Sequence, residues 1–257
     1  MIGFLLKKTF FDLWDNLFRV AFINLGFILS LALSVLLLTL SADVTILFYA
    51  IILICILWCS VYLSAAALCL SAISDYKTFG FADFFKQFKS AWPAGLAFGL
   101  IVFVIVFISS AVIPFYLSME SMLGLLLASI IFWTFAAAIL SFQFFFAIRS
   151  RLDTKLSKII KKSFIIFLDN PGFAIFSLLH NTVILILSIF LALLFPGPAG
   201  ILLYLDEALR LRLLKYDYLE ANPDANRRKI PWDALLIDER EKTGDRSLKS
   251  FIFPWKD

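Results

Sequence analysis

The sequence predicts an all-α membrane protein, a polytopic bundle of six transmembrane helices with amphipathic helices lying at the interface. Three observations carry that reading. Of 257 residues, 62% are hydrophobic and 16% charged, against about 45–50% and 25% in an average soluble domain. A soluble chain of this size has too little surface to carry so much apolar area. Long runs free of Asp, Glu, Lys and Arg recur along the chain, and the 23 Lys and Arg residues gather in alternate connections between them. The same composition excludes a disordered chain, and a net charge of +4 is too small for a nucleic-acid binder, so no nucleic-acid partner is expected.

A spanning helix needs about 20 mostly apolar residues. The first four charge-free runs, Val20 to Ala42, Val44 to Ser74, Ser90 to Met119 and Ser121 to Ile148, each hold one crossing. The fifth, Asn170 to Leu205, has 36 residues, about 54 Å as a straight helix against a bilayer core of about 30 Å. Pro196, Gly197 and Pro198 must break it, which leaves a fifth crossing and starts a sixth helix near Ala199. The expected helices cover about 20–40, 46–70, 94–116, 122–148, 171–194 and 199–219, a transmembrane domain of residues 1–220 followed by a polar tail, 221–257.

Cytoplasmic loops retain Lys and Arg, which sets the orientation. Residues 1–19 carry Lys7, Lys8 and Arg19. The second connection carries Lys77, Lys86 and Lys89, the fourth carries six cations from Arg149 to Lys162, and the chain after Leu205 carries eleven. The connections near Asp43, Glu120 and Pro196 carry none. Six crossings with both ends in the cytoplasm of a bacterial inner membrane keep every cation on one side, whereas five would export eleven. The first run is a full span after a long charged lead, so it is expected to stay as an anchor and not be cleaved.

Lys7-Lys8-Thr9-Phe10 with Asp15-Asn16 recurs as Lys161-Lys162-Ser163-Phe164 with Asp169-Asn170, an offset of 154 residues, and half that offset from Asp15 lands on Trp92. The chain therefore reads as three units, each an amphipathic segment followed by a helical hairpin, the middle copy matching least well. In the middle unit Phe81, Phe84, Phe85, Phe88 and Trp92 share one helical face, with Lys86, Gln87 and Lys89 off it. Leu152, Leu156, Ile159, Ile160 and Phe167 repeat the pattern in the third. Near the start, Lys8, Asp12, Asp15 and Arg19 form a charged stripe opposite Phe10, Trp14 and Leu17. Such helices lie in the headgroup layer with Lys toward anionic lipid, or they dock a partner protein. Phe84, Phe88, Trp92, Lys86 and Lys89 are the candidate contacts.

Polar groups within the apolar runs are the remaining site candidates. Asp206, Glu207, Arg210 and Arg212 interrupt the sixth helix soon after Ala199, and a mid-membrane carboxylate costs roughly 2.5–3.5 kcal/mol, so it needs a partner. Arg210 is i+4 from Asp206 and i+3 from Glu207. His180, the single histidine, and Asp206 fall at similar depths, about 14 Å and about 18 Å from the cytoplasmic boundary by helix rise. A histidine facing an acid in low dielectric can relay protons or bind a polar solute, with Asn181, Gln143 and Asn24 extending the cluster. The alternative is a short sixth helix whose acids are wetted, with His180 a helix–helix hydrogen-bond donor.

Cys55, Cys59 and Cys69 sit in one apolar run with no ligand beside them to complete a metal shell, and are read as packing residues. No nucleophile elbow, phosphate loop or paired-histidine motif is present, so neither an enzyme nor a cofactor is expected. The tail carries Pro231-Trp232 and Pro254-Trp255 around an alternating-charge stretch, with apolar clusters Leu235-Leu236-Ile237 and Phe251-Ile252-Phe253. That apolar content argues for a tail folded onto the cytoplasmic helices or onto a partner, through Trp232 and Trp255.

The segments LWDNLFRVAFINLGFILSLAL and FADFFKQFKSAWPAGLAFGLI give the first 110 or so residues a resemblance to the YesL-type family of bacterial integral membrane proteins of unknown function. The chain lacks a proline in the first helix and has a longer charged tail than that family. The resemblance implies a similar helix count and, because some members are encoded beside carbohydrate-uptake ABC systems, an accessory role in sugar transport. It carries over no site residues. Two functions stand: a non-enzymatic accessory or scaffold protein binding a transporter or another membrane complex, and a small-solute carrier or channel with a polar midplane site. They differ in whether the polar residues converge on a cavity.

Overall fold

The structure, a computed structural model, describes residues 1–227, 229–244 and 246. Among them it is all helical. The first unit is α1 (Ile2–Asp15), α2 (Leu17–Leu40) and α3 (Thr45–Ser74). The second is α4 (Phe81–Phe107), which runs through a π-helical turn (Ile108–Val112) into α5 (Ile113–Leu117), then α6 (Met122–Phe142) and α7 (Phe145–Arg151). The third is α8 (Leu156–Asp169), α9 (Pro171–Phe190) and α10 (Gly197–Ala221), and the tail adds α11 (Trp232–Leu235) and α12 (Ile237–Thr243).

Among the described residues, five helices are long and apolar enough to cross a membrane: α2, α3, α4 through α5, α6 through α7, and α9. The chain is a multi-pass integral membrane protein. The sixth expected crossing falls on α10, whose 25 residues have the length but carry charge from Asp206 onward.

The first and third units are built alike. A 14-residue amphipathic helix ends at an aspartate, and a single asparagine, Asn16 or Asn170, turns the chain into an apolar helix. The middle unit departs from this pattern. Its Phe-rich segment is not a separate interfacial helix but the opening turns of α4, which begins with Asp83 accepting from the Gly80 amide at 3.0 Å and continues through Pro93.

The core collects at one end of the bundle, around α10. One cluster joins Phe144 to Ile148 with Ile159, Ile166, Phe173 and the α10 residues Tyr204, Leu205, Ala208, Leu209 and Leu211. The other joins Val20, Ile23, the buried face of α3 from Tyr62 to Ile73, Phe84 and Ala91 with Ala199 and Leu203. Small residues bring α3 and α4 close. Ser64 donates to the Ala91 carbonyl at 3.0 Å, and a Cβ on Gly95 would meet the Val61 backbone at 2.5 Å.

Candidate functional site

The charged residues of α10 are packed inside this core. Asp206 is 2% exposed and Glu207 is fully buried. Sequence spacing assigns them Arg210, but the structure pairs them with other helices. Asp206 Oδ2 accepts from Arg151 Nε at 2.8 Å, and its Oδ1 from the Ser150 hydroxyl at 2.9 Å. Glu207 meets Thr9 Oγ1 through one oxygen and Lys8 Nζ at 3.4 Å through the other. Arg210 instead donates to the Ser74 carbonyl at 2.8 Å, to Asp75, and to Glu239 of α12 at 2.7 Å. The reason is helical geometry. Neighbouring positions on α10 point to different sides of it, and each side meets a different neighbour.

Asp75 ties the two arginines together, since Arg151 Nη1 also reaches its Oδ1, at 3.0 Å. Lys8, fully buried, sits between Asp12 and Glu207, donates to the Ser74 carbonyl at 3.2 Å, and lies 4.1 Å from the Tyr76 ring centre. Burial drives its ammonium toward the neutral form, but the Glu207 and Asp12 carboxylates prevail and hold its pKa above the ordinary lysine value. The Tyr76 hydroxyl bonds Glu239 Oε2 at 2.9 Å. Burial and Glu239 push its pKa up to about 12, against the pull of Thr243 and Lys8.

Lys8, Thr9, Asp12, Asp75, Tyr76, Arg151 and Glu239 thus complete a layer of which the sequence marks the α10 acids as buried and the α1 stripe as charged. The α1 stripe was legible as charged, yet read as facing headgroups. Its Lys8 and Asp12 point into the bundle, because Lys8 compensates Glu207, which burial on α10 would otherwise leave unpaired, and Asp12 shares that cation.

His180 does not meet Asp206. Its ring stacks on Tyr204 at 4.0 Å between centroids, and Nδ1 lies 3.4 Å from Asn181 Oδ1. It lines a hollow of about 240 Å³ walled by Leu6, Thr9, Phe10, Leu13, Ile184 and Phe195 with Pro196 and Gly200, and no carboxylate lines that hollow. Gln143 donates to the Ala174 carbonyl at 3.0 Å, while its buried Oε1 has no partner. Asn24, fully buried, serves the chain between α9 and α10, donating to the Leu194 and Pro196 carbonyls and accepting from the Ala199 amide. The expected polar cluster is therefore dispersed among separate structural duties. Among the described residues, no group of three or more His, Cys, Asp or Glu is placed to hold a metal ion.

The aromatic stripe of α4 divides. Phe84 is 2% exposed and packs with Phe88 against Tyr62, whereas Trp92 is 54% exposed. Lys86 and Lys89 are exposed, Lys86 pairing with Asp83 at 3.0 Å. Trp232 and Phe173 flank the Arg212 guanidinium, at 5.8 Å and 3.9 Å. The described tail folds back, with Glu239 on Arg210, Lys7 donating to the Gly244 carbonyl, and Arg246 on Asp15. Trp255 and the Phe251-Ile252-Phe253 cluster lie outside the described residues. In comparison with known proteins, the chain matches no family model, no curated protein and no solved structure.

Proposed function

We propose that this is a non-enzymatic accessory or scaffold protein of the bacterial cytoplasmic membrane, with both termini in the cytoplasm, whose charged end docks a membrane complex. One observation carries the reading: Asp206 and Glu207, the acids a carrier would use, are buried and paired with Arg151, Lys8 and Thr9 instead of facing a cavity. A solute site needs polar groups that trade their partners for substrate. These groups are committed to holding α1, α3, α7 and α10 together. The surface left for a partner is the exposed side of α8, α11 and α12 and the α4 residues Trp92, Lys86 and Lys89. An ABC uptake system for carbohydrate as that partner follows from the YesL-type resemblance alone.

The test is purification of the tagged protein from native membranes, with identification of what accompanies it. The scaffold reading expects a stoichiometric membrane partner, lost when Trp92 and Lys89 are both replaced by Ala while the protein still folds. The carrier reading expects solute or proton flux in liposomes containing this protein alone, abolished by His180→Ala. Such flux would displace the scaffold.

A further inference from the structure

We propose that α9 and α10 form a re-entrant hairpin, which enters the bilayer from the charged side, turns inside the apolar core and leaves by the side it entered. Helix rise measures how far the turn lies from the ion-paired layer. Arg210 bonds the Ser74 carbonyl in the ion-paired layer, and Ala199 bonds Asn24. The eleven-residue step from Ala199 to Arg210 spans about 16 Å at 1.5 Å per residue. An independent ruler agrees. Ser74 of α3 lies in the same layer, and Tyr62 donates to the Ile23 carbonyl at 2.8 Å, beside Asn24. That is twelve residues, about 18 Å. Beyond Asn24, α2 continues sixteen residues to Leu40, about 24 Å further. The turn at residues 191–196 therefore lies well short of the far ends of its neighbours, within a core about 30 Å thick.

The composition of the turn fits that depth. The connection between α2 and α3 carries Ser41 and Asp43, and that between α5 and α6 carries Ser118, Glu120 and Ser121, as turns in water do. From Ile189 to Pro196 the chain has no polar side chain, although Phe190 is 82% exposed and Leu191 54%. Irregular backbone is tolerated at membrane depth only where protein satisfies its polar groups. Here the side chains of Asn24 and Ser188 and the end of α9 supply partners for much of the turn. Asn24 takes the Leu194 and Pro196 carbonyls and the Ala199 amide, Ser188 Oγ accepts from the Gly197 amide at 2.9 Å, and the Ser188 carbonyl accepts from Leu193 at 2.7 Å. Gly197 has φ of +61°, and a Cβ there would collide with the Asn24 amide. Ala192 and Leu193 hold φ of 51° and 61°, a region kept only where the surroundings enforce it.

The chain then crosses four times, through α2, α3, α4 with α5, and α6, and all cations stay on one side as they do with six crossings. Single cysteines at Phe190 and Leu191, in a background with Cys55, Cys59 and Cys69 replaced by Ala, test the hairpin against Asp43→Cys and Glu120→Cys. With a membrane-impermeant maleimide, the two reference sites label in intact cells. The hairpin sites label at least tenfold more slowly both in intact cells and in inverted vesicles, and react fully once the protein is denatured. A nitroxide at Phe190 in reconstituted vesicles is relaxed more by oxygen than by a water-soluble nickel chelate, the reverse of the order at Asp43. Labelling of Leu191→Cys in intact cells as fast as Asp43→Cys, or nickel access at Phe190 equal to that at Asp43, overturns the proposal.

Discussion

The two ends of the bundle follow opposite rules. At the charged end α1, α3, α7, α10 and α12 are cross-linked by ion pairs and hydrogen bonds, and both clusters of buried apolar side chains adjoin that layer. At the far end Leu40, Ile46, Phe107, Leu123 and Trp133 are exposed, and Met122 is 90% exposed. The difference teaches where helix association comes from in a membrane. Lipid tails are as apolar as leucine, so helices gain little by exchanging lipid for one another. They close up where small residues permit contact and where polar groups must find partners, and both conditions are concentrated toward the charged end.

Unequal mutational sensitivity is the way to break this comparison. The largest expected loss comes from Lys8→Met, which leaves Glu207 buried beside Asp12 without its cation. Removing one partner of a buried pair costs about 3–5 kcal/mol, and replacing both with neutral groups costs far less. Thermal melting of the purified protein is expected to show the loss, and adding Glu207→Gln is expected to recover part of it, Asp12 remaining without its cation. Phe84→Ala is expected to cost about 3–5 kcal/mol as a core truncation, and Trp92→Ala, on the exposed side of the same helix, under about 1 kcal/mol. Equal losses would remove the division of the α4 stripe.

Asn24→Ala strips one carboxamide from three backbone groups and is expected to cost about 1–3 kcal/mol, read by the same melt. Raising the pH gives a gentler probe. Tyr76 is held at about 12 against an ordinary 10.0. Its contribution is therefore complete below about pH 10 and fades as pH rises toward 12, and Tyr76→Phe is expected to flatten that decline. The smallest effects belong to the far end, where Trp133→Ala and Leu125→Ala are expected to stay within about 0.5 kcal/mol.

Much of the fold was legible because charge-free length and helical period are local properties. The apolar runs of α2 and α3 rest on such signals, whereas the break expected at Pro196 to Pro198 falls earlier, at residues 191–196, with α9 ending at Phe190 and Pro198 in the first turn of α10. The partners of Asp206 and Glu207 were not legible. Spacing along α10 nominated Arg210, while the cations they use come from Arg151 and Lys8, 55 and 199 residues away in sequence. Only packing brings those residues together. The duty of Asn24 was hidden for the same reason, since nothing near residue 24 signals a turn at residues 191–196.

The central claim is that the acids of α10 close the charged end by pairing across helices. A double-mutant cycle tests it most directly, with Asp206→Asn combined in turn with Arg151→Met and with Arg210→Met and melting followed in detergent. Groups in contact couple by about 0.5–3 kcal/mol. The account expects Asp206 to couple to Arg151 near the top of that range, and to Arg210, reached through Arg151 with Ser74 and Asp75, by less than half as much. Coupling to Arg210 that equals or exceeds coupling to Arg151 would contradict it.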